Sequence, residues 1–153
     1  MRRGWTYSLF LGFVFLPFVA LAMALSRGPV ISLQVAVFAL GAMVAARIGG
    51  WLAILCGGRD YGARAFVLTF VVYILLAGVI GRTFYGLAHP DMKSLQVARE
   101  AGALAYAGDF AKDSFAAALY IAMAYGWLIF IACSVGILLF HAILRRTDRH
   151  VEG

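Results

Sequence analysis

The side chains of this sequence best able to do chemistry are Arg47, Arg82, three histidines and two cysteines. Arg47 stands inside a long apolar run, and an ionised group in hydrocarbon is costly unless water or a partner solvates it. It lies about 9 residues, hence about 14 Å, from the nearer end of that run at 1.5 Å per residue. None of the long apolar runs contains Asp or Glu. Arg47 is therefore expected to use backbone carbonyls, water, a lipid phosphate or an acidic residue of another protein, and reaching to a lipid headgroup is the favoured expectation. Arg82 is about two turns from the other end of its run and is expected to reach outward to Asp91 or its neighbours.

The histidines are not expected to share a site. His89 and His141 fall at opposite ends of apolar runs, about 30 Å apart across a bilayer, and His150 lies in the C-terminal tail. That separation disfavours a bis-histidine haem within one chain; His141 reads as a polar interfacial residue near Arg145. Cys56 and Cys133 have no metal-ligand spacing and are expected to behave as small apolar side chains. The stretch Gly57-Gly58-Arg59-Asp60-Tyr61-Gly62 lacks the Lys-Ser/Thr of a phosphate loop and reads as a turn. His89-Pro90-Asp91 has no soluble helical pair around it. No nucleophile and base pair up, so no catalytic, cofactor-binding or metal-binding residue is assigned and the chain is expected not to be an enzyme.

What positions these residues is hydrocarbon. Of 153 residues, 64% are hydrophobic and 13% charged, with a mean hydropathy of +0.92, whereas soluble domains carry about 25% charged residues. A compact domain of this size cannot hide so much apolar surface from water. Four runs, residues 5–25, 31–56, 65–88 and 115–144, match a hydrocarbon core that takes about 20 apolar residues to cross. Backbone polar groups there must bond within their own segment. The expected fold class is an all-α integral membrane protein, a single domain over residues 1–153 with four transmembrane helices in an antiparallel bundle. Short links over 26–30 and 57–64 make sequential helices neighbours. Pro17 removes a donor inside the first run and is expected to kink it near Phe13.

Basic residues in short loops resist translocation. Arg2 and Arg3, then Arg59 and Arg64, then Arg145, Arg146 and Arg149 all flank one side, which places both termini inside. The formal net charge of +6 then reads as attraction to anionic lipid headgroups. Nucleic acid is not an expected partner, since no solvated basic face interleaved with aromatics is present. Arg2, Arg3, the first apolar run and Ala22-Met23-Ala24 also resemble a cleavable signal peptide, but Trp5 to Leu21 exceeds the usual apolar core of about 7 to 15 residues, so a retained span is expected. Between the last two runs, the extracytoplasmic segment 89–114 carries Pro90 and then Met92, Leu95, Arg99, Gly102 and Tyr106 at helical spacing. A short separate helix on the outer surface is expected there.

Small residues mark where membrane helices can approach closely. Gly41, Ala45 and Gly49 recur at intervals of four in the second run, and Ala118, Ala122 and Gly126 in the fourth, with Gly136 returning to the same side. Ala77 and Gly81 add to them from the third. These three helices are expected to form the tight core, with the first more peripheral, and a leucine at Gly126 is expected to break the packing. The fourth run has a second face, Tyr120, Trp127, Ser134 and His141 seven residues apart, filled in by Met123, Phe130 and Ile137. It is expected either to meet a subunit, lipid or quinone-like ligand, or to anchor at the interfaces with Ser134 bonded to its own helix.

The expected function is a small non-catalytic membrane subunit or scaffold of a larger complex, with a self-contained oligomeric channel or small-molecule transporter as the alternative. Eleven Arg against two Lys, with abundant Ala and Gly, hint at a GC-rich bacterial genome and hence at the cytoplasmic (inner) membrane.

Overall fold

A computed structural model of the chain describes residues 2–25, 32–59, 62–88 and 102–151, with the side chains at 2, 3, 32 and 146–151 outside the description. Four helices make up nearly all of it: α1 (Arg2–Leu25), α2 (Ser32–Leu55), α3 (Ala63–Ala88) and α4 (Ala103–Val151). All four are long and apolar enough to cross a membrane, as a multi-pass membrane protein requires. α1 runs unbroken through Pro17, whose ring is exposed.

The boundaries have local causes. α2 ends in a Schellman motif, with Gly57 at φ 72° because only glycine adopts that conformation without a Cβ penalty. Gly58 N–H donates to the Ala53 carbonyl at 2.7 Å and Gly57 N–H to that of Ile54 at 2.9 Å. The Arg64 guanidinium donates to the Cys56 carbonyl and closes the turn into α3.

The outer segment, expected to carry a short helix of its own, is described only from Gly102 onward. Residues 103–114 belong to α4, which runs without interruption for 49 residues. Nothing between Ala103 and Ser114 breaks a helix except Gly108, and one glycine costs a helix only about 1 kcal/mol. Gly102, at φ 87°, immediately precedes α4. The expectations resting on His89, Pro90, Asp91, Met92, Leu95 and Arg99 lie outside the described residues.

The helices pack as a ring in which α1 touches α2 and α4, and α3 touches α2 and α4. A Cβ at Gly49 would stand 2.6 Å from the Thr69 backbone nitrogen, and one at Gly41 would stand 2.9 Å from Ile80. Gly78 faces Ser114 and Ala118, Gly136 faces Leu11, and Gly12 faces Met43. Late Gly49 meets early Thr69, and late Gly78 meets early Ser114, so α2 and α3, and α3 and α4, run in opposite directions.

α1 has the sparsest contacts with its neighbours, as expected of a more peripheral helix, yet it supplies the largest side chains of the core. Tyr7, Leu11 and Phe15 are each at most 1% exposed, the largest fully buried side chains described. Tyr7 packs on Phe140 at 5.2 Å, and Phe15 meets Tyr73 edge-on at 4.7 Å across the bundle. Small residues report where backbones touch, but the middle of a four-helix ring is a wider space that only large side chains fill. Tyr7, Leu11 and Phe15 supply part of that filling, while Leu9 and Phe13 of the same helix face outward.

Candidate functional site

The residues singled out in the sequence do not converge. Arg47 is half-buried, and its guanidinium lies 5.1 Å from the ring centroid of Trp5 in the first turn of α1. An aromatic face attracts a cation without asking for a counter-charge. Indole is not among the partners expected for Arg47 from the sequence, which are backbone carbonyls, water, a lipid phosphate and an acidic residue of another protein. The signal was there: Trp5 begins the first run next to Arg2 and Arg3, where aromatic belts and basic residues meet at a membrane surface.

Arg82 finds its partner on α4: Nε donates to Asp113 Oδ2 at 3.1 Å. Asp91 lies outside the described residues. With Asp113 half exposed at 52%, such a pair contributes at most about 1 kcal/mol. Its position joins the end of α3 to α4 just outside the apolar stretch.

The small residues of α4 divide between two neighbours. Ala118 is buried against Gly78 of α3, while Gly136 lies under Leu11 of α1. Eighteen residues make five full turns at 3.6 per turn, so both stand on one side of α4. One side meets different helices at two heights, which means α4 crosses the bundle obliquely. Ala122 is half-buried, and a Cβ at Gly126 would meet nothing within 4 Å. On α2, Ala45 is fully buried, Gly49 buried and Gly41 half-buried.

The second face of α4 is equally divided. Tyr120, Met123 and Trp127 are 63%, 80% and 56% exposed. Phe130 stands edge-on to Phe66 at 5.4 Å, Ile137 packs against the core, and Ser134 donates to the Phe130 carbonyl at 2.8 Å. His141 is half-buried. Among the described residues no three His, Cys, Asp or Glu side chains gather, and Cys56 and Cys133 are free thiols.

One feature no motif announced is a cavity of about 280 Å³ touched by all four helices. Phe15, Tyr73, Ala77 and Ala132, all buried, form its floor, and Phe38 closes the α2 side. Phe18, Ala22 and Met23 of α1 face Tyr120, Tyr125 and Leu128 of α4 across it. It opens from the oblique crossing: α4 is seated on α1 at Gly136 and on α3 at Ala118, so the α1–α4 seam stands apart beyond Phe15. Periodicity shows which side of a helix is apolar but not whether two apolar sides meet, so the sequence held no signal for it.

Comparison of the chain with family models, with curated proteins and with solved structures finds no match. The class that the fold defines is a helical, multi-pass membrane protein.

Proposed function

We propose that this chain is a small non-catalytic integral membrane subunit, or scaffold, of a larger membrane complex, such as a secretion or conjugation apparatus, a transporter or a respiratory assembly. The observation that carries the reading is α4. Its 49 residues measure about 74 Å at 1.5 Å per residue, against a hydrocarbon core of about 30 Å. A span does not need that length, and a docking rod does. The projecting first turns hold apolar side chains away from the bundle: Leu104 is 91% exposed, and Tyr106, stacked on Phe110, is 42% exposed. Apolar groups left uncovered beyond the membrane fit a protein partner.

In this reading both termini face the cytoplasm, α4 projects on the extracytoplasmic side, and the arginines at the inner ends rest on anionic headgroups. The arginine-rich composition favours a bacterial cytoplasmic membrane. The alternative, an oligomeric channel or transporter, has to route its path between copies, because Tyr7, Leu11, Phe15 and Phe140 fill the middle of one bundle.

The test is purification of the tagged chain from its native membrane in mild detergent or nanodiscs, followed by native mass spectrometry. A stoichiometric larger partner is expected, lost in a Leu104→Asp/Tyr106→Ser variant whose thermal transition is unchanged. A clean homo-oligomer without partner overturns the subunit reading in favour of the channel or transporter.

A further inference from the structure

The cavity between α1 and α4 lies within the membrane-spanning stretches of both helices, and its size, lining and mouth restrict what can fill it. An apolar cavity of about 150 Å³ stays free of water and takes up benzene. At about 280 Å³, this one has room for on the order of ten carbons by the same measure. Its side chains offer only the hydroxyls of Tyr73, Tyr120 and Tyr125 beside the thioether of Met23, and a stable internal water needs two to four polar partners together. Water is a poor occupant. A helix of a second copy is too thick, since a helix with its side chains measures about 10–12 Å across. What remains is slender and apolar.

We propose that this cavity binds one hydrocarbon chain, the acyl tail of a membrane lipid. The tail enters through the open α1–α4 seam between Phe18 and Tyr125 and ends on the floor that Phe15 and Tyr73 make by their edge-on contact at 4.7 Å. Lipid tails are the slender hydrocarbon that surrounds any span, and a tail seated here restores the dispersion contacts that an unfilled apolar space forfeits. Tyr120, the exposed member of the lining at 63%, brings a phenol to the mouth, where its apolar ring and polar tip suit the boundary between tail and glycerol ester. The bound tail then replaces the helix-to-helix contact that α4 gives up by crossing obliquely, and seals the seam.

The experiment reconstitutes the full chain in phosphatidylcholine nanodiscs containing a trace of phosphatidylcholine with a diazirine near the end of one acyl chain. Photolysis and peptide mass spectrometry then locate the label. Labelling is expected at the floor, on Phe15 or Tyr73, in excess of outward-facing Leu9, Val44 and Leu75, and to fall at least fivefold in Ala22→Phe, which fills the mouth, while the outward labels stay constant. Phe18→Ala, which widens the mouth, is expected to keep or raise the cavity label. It serves as the control if Ala22→Phe fails to fold. Label confined to outward-facing residues, or unchanged in Ala22→Phe, overturns the proposal. So does loss of the cavity label when an unlabelled isoprenoid alcohol is added at the same mole fraction, which would assign the site to an isoprenoid tail. A homodimer in native mass spectrometry that Ala22→Phe dissociates would assign it to a side chain of a second copy.

Discussion

The two ends of the α1–α4 seam are made from the same pair of helices and close differently. Toward the start of α1 the seam is shut: Gly136 admits Leu11, and Tyr7 and Phe10 pack on Phe140. Beyond Phe15 it is open, with Phe18 and Met23 facing Tyr120 and Tyr125 across a cavity of about 280 Å³. Both ends are apolar, so hydrophobicity does not distinguish them, and in a bilayer it supplies no force between helices anyway. What differs is whether a small residue on one helix stands opposite something that can use the room it leaves.

The largest effects are expected where a glycine faces backbone. At Gly49 and Gly78 an added Cβ would run into the main chain of Thr69 and of Ser114 and Ala118, and main chain cannot rotate away. Gly78→Leu and Gly49→Leu are each expected to destabilise the bundle by about 3 kcal/mol or more, read as lost or broadened thermal transitions in detergent. An unchanged transition in either would mean that α3 does not approach its neighbours this closely.

A smaller loss is expected at Gly136, because the atom in the way is Cδ1 of Leu11, the end of a flexible side chain. Gly136→Leu is expected to cost about 1–3 kcal/mol, and Leu11→Ala in the same chain to recover part of it through a coupling above about 0.5 kcal/mol. Additive losses would separate the two residues and leave the closed end of the seam without its explanation.

Smaller still is the contact of Arg47 with Trp5 on the neighbouring α1–α2 seam. A cycle of Arg47→Leu and Trp5→Ala is expected to give a coupling of about 1 kcal/mol, with four spans inserted in every variant. No coupling would return Arg47 to lipid or to a partner subunit.

These differences bear on what the sequence could disclose. The four apolar helices were legible because hydrocarbon imposes a length and a composition on any segment that crosses it. The buried positions Ala45 and Gly49 and the contact at Ala118 followed from small-residue spacing. Gly78 went unnoticed beside Ala77 and Gly81, since spacing within α3 does not reveal which residue α4 will reach. The run of α4 back through Ala103 was hidden by Asp109, Lys112 and Asp113, which end an apolar stretch without ending a helix. The cavity was invisible because it depends on the angle at which α4 crosses, a property of no single segment.

The smallest effect, and the sharpest test of the comparison, is expected at Gly126. It completes the series of Ala118 and Ala122 in sequence, and by that logic a larger residue there should force helices apart. In the structure its Cβ would meet nothing within 4 Å, because α4 has already turned its small side from α3 toward α1. Gly126→Ala is therefore expected to leave the thermal transition unchanged or raise it slightly. Replacing a mid-helix glycine by alanine favours the helix by roughly 0.5–1 kcal/mol in water, and by less in a bilayer, where the segment stays helical even when unpacked. The same substitution at Gly78 is expected to lower the transition, since even a methyl group there meets main chain. Opposite signs at Gly78 and Gly126 would establish that a small residue binds helices together only where a second backbone arrives to meet it. A loss at Gly126 equal to that at Gly78 would mean that α4 packs along its whole small side, and that the open end of the seam is closed in the membrane.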